Sequence, residues 1–182
     1  MARTIPLGVF LAIAALPAWP EVADSASNGF TVKIAVQIQA PTDDVYRRLI
    51  QVAGWWSPAH TFSQDAKNLS LDPKAGGCFC EVLPNGGSVR HMQVLMVAPD
   101  KSLVLSGALG PLQALAATGT MSIELAPASG ETKLTATYAV NGYLPAGMNT
   151  WAGPVDRVLG EQFSRLKNLV EHGDPAAPAK SR

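Results

Sequence analysis

Charge is scarce in this chain. Asp, Glu, Lys and Arg make up 15% of its 182 residues, and the fourteen basic side chains cancel the fourteen acidic ones. Nucleic-acid binding rests on a surplus of Lys and Arg that neutralises phosphate, so a neutral chain argues against that class of partner. No G-x-S-x-G, G-x-x-x-x-G-K, H-E-x-x-H or dinucleotide fingerprint occurs, and no spacing of the serines and three histidines nominates a triad. The only cysteines, Cys78 and Cys80, stand at C-x-C, not at the C-x-x-C spacing of thioredoxin-like redox sites or zinc knuckles. Sixteen glycines and fourteen prolines follow no collagen-like period. The greasy run Leu7–Leu16 is ten residues, half of the ~20 that a membrane-spanning helix needs.

What the chain does have is apolar surface, 47% of its residues, enough to bury a core. Its length and 19.1 kDa bound it to one ordinary domain with appendages. Arg3 ahead of Leu7–Leu16, the helix-breaking Pro17 and Pro20, and small residues from Ala18 to Ser27 have the layout of a secretory signal. Residues 1–27 therefore read as signal peptide and leader, without a defined cleavage site, and the expected destination is a bacterial periplasm. The Pro- and Ala-rich residues 173–182 read as a disordered tail. That leaves 28–172 as the folded unit, with no membrane span expected in the mature chain.

Within that unit, Phe30, Val32, Ile34, Val36 and Ile38 alternate with polar residues, the pattern of a half-buried strand. Pro41, Asp43 and Asp44 suit a first helical turn, and Val45, Leu49, Val52 and Trp56 recur as a helical stripe. After a turn-rich passage, Cys78–Leu83 and Ser88–Val97 flank Pro84-Asn-Gly-Gly87 as a hairpin. Further strands are expected at 101–106, 118–125 and 132–140, the last two apolar on one face only. Val155, Leu159, Gln162, Leu166 and Leu169 line one face of a terminal helix over 154–171. The expected fold is α+β: a curved antiparallel sheet of six or seven strands wrapped around a long C-terminal helix, with short helical structure after the first strand.

This order resembles the START-like helix-grip (SRPBCC) superfamily, which includes the birch pollen allergen, polyketide cyclases and chaperone-ATPase activators. The resemblance covers about Phe30 to His172. It rests on Ala40-Pro-Thr-Asp-Asp-Val-Tyr46, Gly54-Trp55-Trp56, Gly76-Gly77 and the terminal helix. A closer likeness is to uncharacterised exported bacterial members. It rests on Trp55-Trp56-Ser-Pro-Ala-His60, Leu69-Ser-Leu-Asp72, Gly76-Gly-Cys-Phe-Cys-Glu81, Gly107-Ala-Leu-Gly-Pro-Leu-Gln113, and Val155-Asp156 leading to Gln162. The resemblance implies a fold with a cavity between sheet and helix, and no particular activity. Export sets the chain apart from the chaperone activators, which work where ATP is.

Several residues suit such a cavity. Trp55, Trp56, His60 and Trp151 offer large rings with one polar edge, for a pocket rim or for core packing. Met121 and Tyr138 lie on apolar strand faces, and Gln162 interrupts the apolar stripe of the terminal helix; the buried polar groups need partners, from backbone or from a ligand. For Glu81 two facings are open. Inward, it would couple with His91 as an acid–base pair; outward, it would be solvated or paired with Arg90. Cys78 and Cys80 share a strand face, as small packed thiols, as a bridge needing a bulge, or, with His91, as weak metal ligands. Leu109, Leu112 and Leu115 surround a Gly-Pro turn, as an apolar lid or as a loop folded onto the core.

The leading expectation is an exported protein that binds a small apolar ligand, lipid- or polyketide-like, in that cavity, without a cofactor. A cyclase- or hydrolase-like enzyme using Glu81, His91 or His60 is the second. The third is a non-catalytic interaction or stress protein whose cavity is filled.

Overall fold

The computed structural model describes residues 21–177. The signal-peptide reading of residues 1–20 and the end of the proposed tail lie outside the described residues. Eight strands form one antiparallel sheet: β1 (Glu21–Ala26), β2 (Gly29–Ile38), β3 (Leu69–Leu71), β4 (Cys78–Val82), β5 (Ser88–Ala98), β6 (Ser102–Ser106), β7 (Ala116–Ala128) and β8 (Glu131–Tyr143). They run in the order β1-β2-β8-β7-β6-β5-β4-β3. The sheet thus has eight strands where six or seven were expected. The two outer strands account for the difference. All six side chains of β1 are exposed, so no buried face imposes alternation, and β3 has three residues, too few to show a period. Strand β1 also lies inside the stretch assigned to the leader, so the sheet takes in residues from Glu21 to Ala26 as well.

The inner strands follow their hydrophobic pattern. Phe30, Val32, Ile34 and Ile38 of β2 face the core, as do Met121, Ile123 and Leu125 of β7 and Leu134, Ala136, Tyr138 and Val140 of β8. Helix α1 (Thr42–Leu49) starts after Pro41, with Asp43 and Asp44 in its first turn and Arg47 and Arg48 in its last, complementing the helix dipole at both ends. The chain then leaves the helical path through a 3-10 turn at Val52–Gly54. Val45, Leu49, Val52 and Trp56 are all buried nonetheless. Helix α2 (Ala152–His172) ends at Gly173, whose φ of 74° closes the helix through its N–H to the Leu169 carbonyl. At ~1.5 Å per residue its 21 residues run about 31 Å, enough to lie across the sheet. Among the described residues no helix is long and apolar enough to cross a membrane.

The middle of the sheet–helix interface is filled. Trp55 packs on Trp56 and Phe163, and Trp56 meets Phe79 edge-on. Only about 30 Å³ remains among Trp55, Trp56, Phe79, Met92, Met121 and Phe163, roughly the space of a single water.

Of the readings open for Cys78 and Cys80, the structure adopts the bridge: the two are joined in a disulfide. The β4–β5 register shifts between Phe79 and Cys80, and the two Cα atoms lie 5.4 Å apart. A regular strand holds i and i+2 nearly 7 Å apart, beyond comfortable bridging distance; the irregularity brings them within it.

Candidate functional site: a pocket backed by a carboxylate–imidazole pair

A pocket of about 320 Å³ opens at one end of the sheet–helix interface. Trp56, Ala59, His60, Thr61 and Phe62 line it from the segment after α1, and His91 from β5. Leu109, Gly110, Pro111 and Leu112 line it from the β6–β7 connection, and Trp151, Pro154, Val155, Val158 and Leu159 from the start of α2. Its size falls at the lower end of the ~300–1,000 Å³ typical of small-molecule sites, and its walls are mostly apolar.

The polar feature of this wall is made by a bulge. Phe79 pairs with Met92 and Cys80 with Arg90, so His91 is an extra residue on β5. Because of that insertion His91 and Met92 are both buried although adjacent, which a regular strand forbids. On the facing strand Phe79 and Glu81 point inward and Val82 outward. Glu81 is 0% exposed, and its Oε2 lies 2.9 Å from His91 Nε2. The same carboxylate accepts the backbone N–H of Phe62 at 3.1 Å and that of Ser63. Arg90 is exposed, so the inward facing is the one adopted and the Arg90 pairing is not.

Burial by itself would raise the Glu81 pKa. The hydrogen bonds from Ser63, Phe62 and His91 outweigh it and hold the carboxyl below its ordinary value. Burial pushes His91 down, and the opposing pull of Glu81 does not reverse this. At neutral pH the pair is therefore a carboxylate and a neutral imidazole whose Nε2–H donates to it, leaving Nδ1 as an acceptor. Among the described residues no donor meets Nδ1. Phe62 stacks on the ring with centroids 5.9 Å apart, and Phe79 approaches to 5.0 Å.

The other candidates divide. Trp56 lines the pocket and donates its indole N–H to the His60 carbonyl at 3.0 Å. His60 lines it too, with Nε2 3.1 Å from Glu161 Oε2 on α2, a tie from loop to helix. Trp151 lines the wall at the helix start. Trp55 does not reach the pocket; it is core, with its indole N–H on the Leu49 carbonyl at 3.1 Å. Met121 borders only the small central remnant. Tyr138 is a latch: its hydroxyl donates to the Gly107 carbonyl at 2.9 Å and accepts the Leu109 N–H at 3.0 Å. Burial raises the Tyr138 pKa to about 12, so the phenol stays protonated. Gln162 accepts the Ser57 N–H at 2.7 Å, and its buried Nε2 has no partner among the described residues. The weak metal set fails because Cys78 and Cys80 are consumed by their disulfide and lie on the sheet face opposite His91.

The β6–β7 connection is both things expected of it. Leu112 is buried at 1% exposure, folded onto the core, while Leu109, Gly110 and Pro111 form the mouth. Gln113 fastens it to the Arg90 carbonyl at 3.1 Å. Sequence reasoning missed the amides of Phe62 and Ser63 that bind Glu81, since a loop has no period to read. It also missed Val158 as pocket wall, although the stripe of α2 carried that signal.

No protein-family model matches the chain, and no curated protein does either. Solved structures do. A conserved protein of unknown function from Enterococcus faecalis is 18% identical over 90% of this chain and 82% of its own, with a TM-score of 0.58. A protein from Mesorhizobium loti is 22% identical over 77% of this chain and 96% of its own, at 0.54. A protein of the dynemicin biosynthetic locus is 18% identical over 81% of this chain and 49% of its own, at 0.56. Likeness at these identities is likeness of fold. With the sheet order and the helix laid across it, the chain has a helix-grip fold.

Proposed function

We propose that this is an exported START-like protein that binds a small apolar ligand, lipid- or polyketide-like, in the pocket between the loop after α1, the β6–β7 connection and the start of α2. The observation that carries the reading is the pocket itself: about 320 Å³ of mostly apolar space beside an otherwise filled interior. The fold neighbour from the dynemicin biosynthetic locus supports small-molecule work on this scaffold. Export is supported by the layout around Arg3 and Leu7–Leu16 and by the Cys78–Cys80 disulfide, which persists in oxidising compartments. Native mass spectrometry of protein purified from the periplasm tests it. The expected result is an added mass of small-molecule size that organic solvent releases. Uniformly ligand-free protein that also takes up no apolar molecule sinks it.

The buried Glu81–His91 pair favours a second reading, an enzyme of cyclase or hydrolase type working in the same pocket. A carboxylate that orients an imidazole is the arrangement of a general base. His60 has its Nε2 paired with Glu161, so the buried pair is the better placed of the two.

A further inference from the structure

The polar side chains around the pocket are mostly committed to the protein. Trp56 Nε1 is held by the His60 carbonyl, Thr61 Oγ1 by the Pro58 carbonyl, and His60 Nε2 by Glu161. His91 differs. Its Nε2–H is bound to Glu81, its side chain is almost excluded from water, and Nδ1 meets no donor among the described residues. The tautomer is locked from behind, so the ring offers the pocket a lone pair and no proton. It can accept from a ligand hydroxyl, but it cannot donate to a ketone, an ether or a carboxylate. The carboxylate behind it also disfavours an anion in the pocket and strengthens Nδ1 as an acceptor.

The geometry points to a ligand that is an uncharged aromatic molecule carrying a phenolic or enolic hydroxyl, its O–H donated to His91 Nδ1. This rests on the pocket reading above and adds the chemical class. Phe62 stacked on the imidazole, with the rings of Trp56 and Trp151 in the same pocket wall, suits a flat ligand. A ligand seated on the ring shuts water off from Nδ1, so an analogue that cannot donate to it leaves the acceptor bare and binds less well.

Three naphthalenes of similar shape test this by fluorescence titration of the full chain. We expect 2-naphthol to bind about five- to tenfold more tightly than 2-methoxynaphthalene, which has no proton to donate. Anionic 2-naphthoate should bind more weakly than either. His91→Phe should erase the preference for naphthol while 2-methoxynaphthalene still binds. His91→Leu asks the same question if the first variant does not fold, and the wild-type ratio decides without either. Equal affinity for naphthol and its methyl ether, or a ratio that survives loss of His91, overturns the assignment and leaves the pocket reading standing. Failure of all three to bind overturns both.

Discussion

At the scale of single residues, Glu81 accepts hydrogen bonds from three partners, the imidazole of His91 and the amides of Phe62 and Ser63. Glu81→Ala leaves one buried and two part-buried donors without their acceptor, and we expect a loss of about 2–3 kcal/mol in urea unfolding. Acid should act in the same direction. Both folded-state pKa values are depressed, so the unfolded chain binds the protons first and stability falls as pH falls. The loss begins as pH drops through the ordinary histidine value of 6.5 and deepens below the ordinary carboxyl value of 4.5. Urea midpoints measured from pH 8 to 4 check it, and His91→Phe should remove the first part of the decline. A second residue-scale expectation concerns the latch. Tyr138→Phe deletes a hydroxyl that both accepts from and donates to the Gly107–Leu109 backbone. It should cost about 1–2 kcal/mol and speed hydrogen exchange at Leu109 more than in β8. The inward facing of Glu81 was not legible in advance, because Cys78-Phe-Cys-Glu-Val82 carries apolar residues on both of its faces. Period-2 reading cannot choose between faces of equal greasiness.

At the scale of elements, strands and helices with one buried face were readable and those without were not. Strands β2, β7 and β8 and helix α2 appear where alternation and stripe placed them, to within a few residues. Strand β1 has no buried side chain, and the helical stripe through Trp56 is carried by α1 plus a 3-10 turn, since burial of the stripe does not require one continuous helix. The bulge on β5 was the least visible element. One inserted residue turns His91 into the pocket, and nothing in the local composition marks it. The disulfide beside it closes a very short loop, so its entropic contribution is small, about 1.5 kcal/mol. Replacing both Cys78 and Cys80 with Ser should lower the unfolding midpoint only modestly, and reductant should then have no further effect. Strand β1 also constrains processing. Val22 to Ala26 pair with β2, so under the proposed export the mature N-terminus should lie at or before Glu21, and the intact mass of protein recovered from a periplasmic extract checks this.

At the scale of the whole molecule, the interior differs from the open cavity that sheet and helix suggested. Aromatic rings fill its centre, and space is left at one end, walled by segments that the fold brings together from four places in the chain. Periodicity could place Val155 and Leu159 on the inner face of α2, but no local pattern encodes where a void survives packing. This end pocket is the proposed ligand site. It is tested most directly by comparing 2-methoxynaphthalene binding to the wild type and to Val158→Trp, whose new ring would occupy the space from the α2 wall. Binding to the wild type should be saturable, binding to the variant roughly tenfold weaker or more, and the variant's unfolding midpoint little changed. Equal binding by a folded Val158→Trp would contradict it.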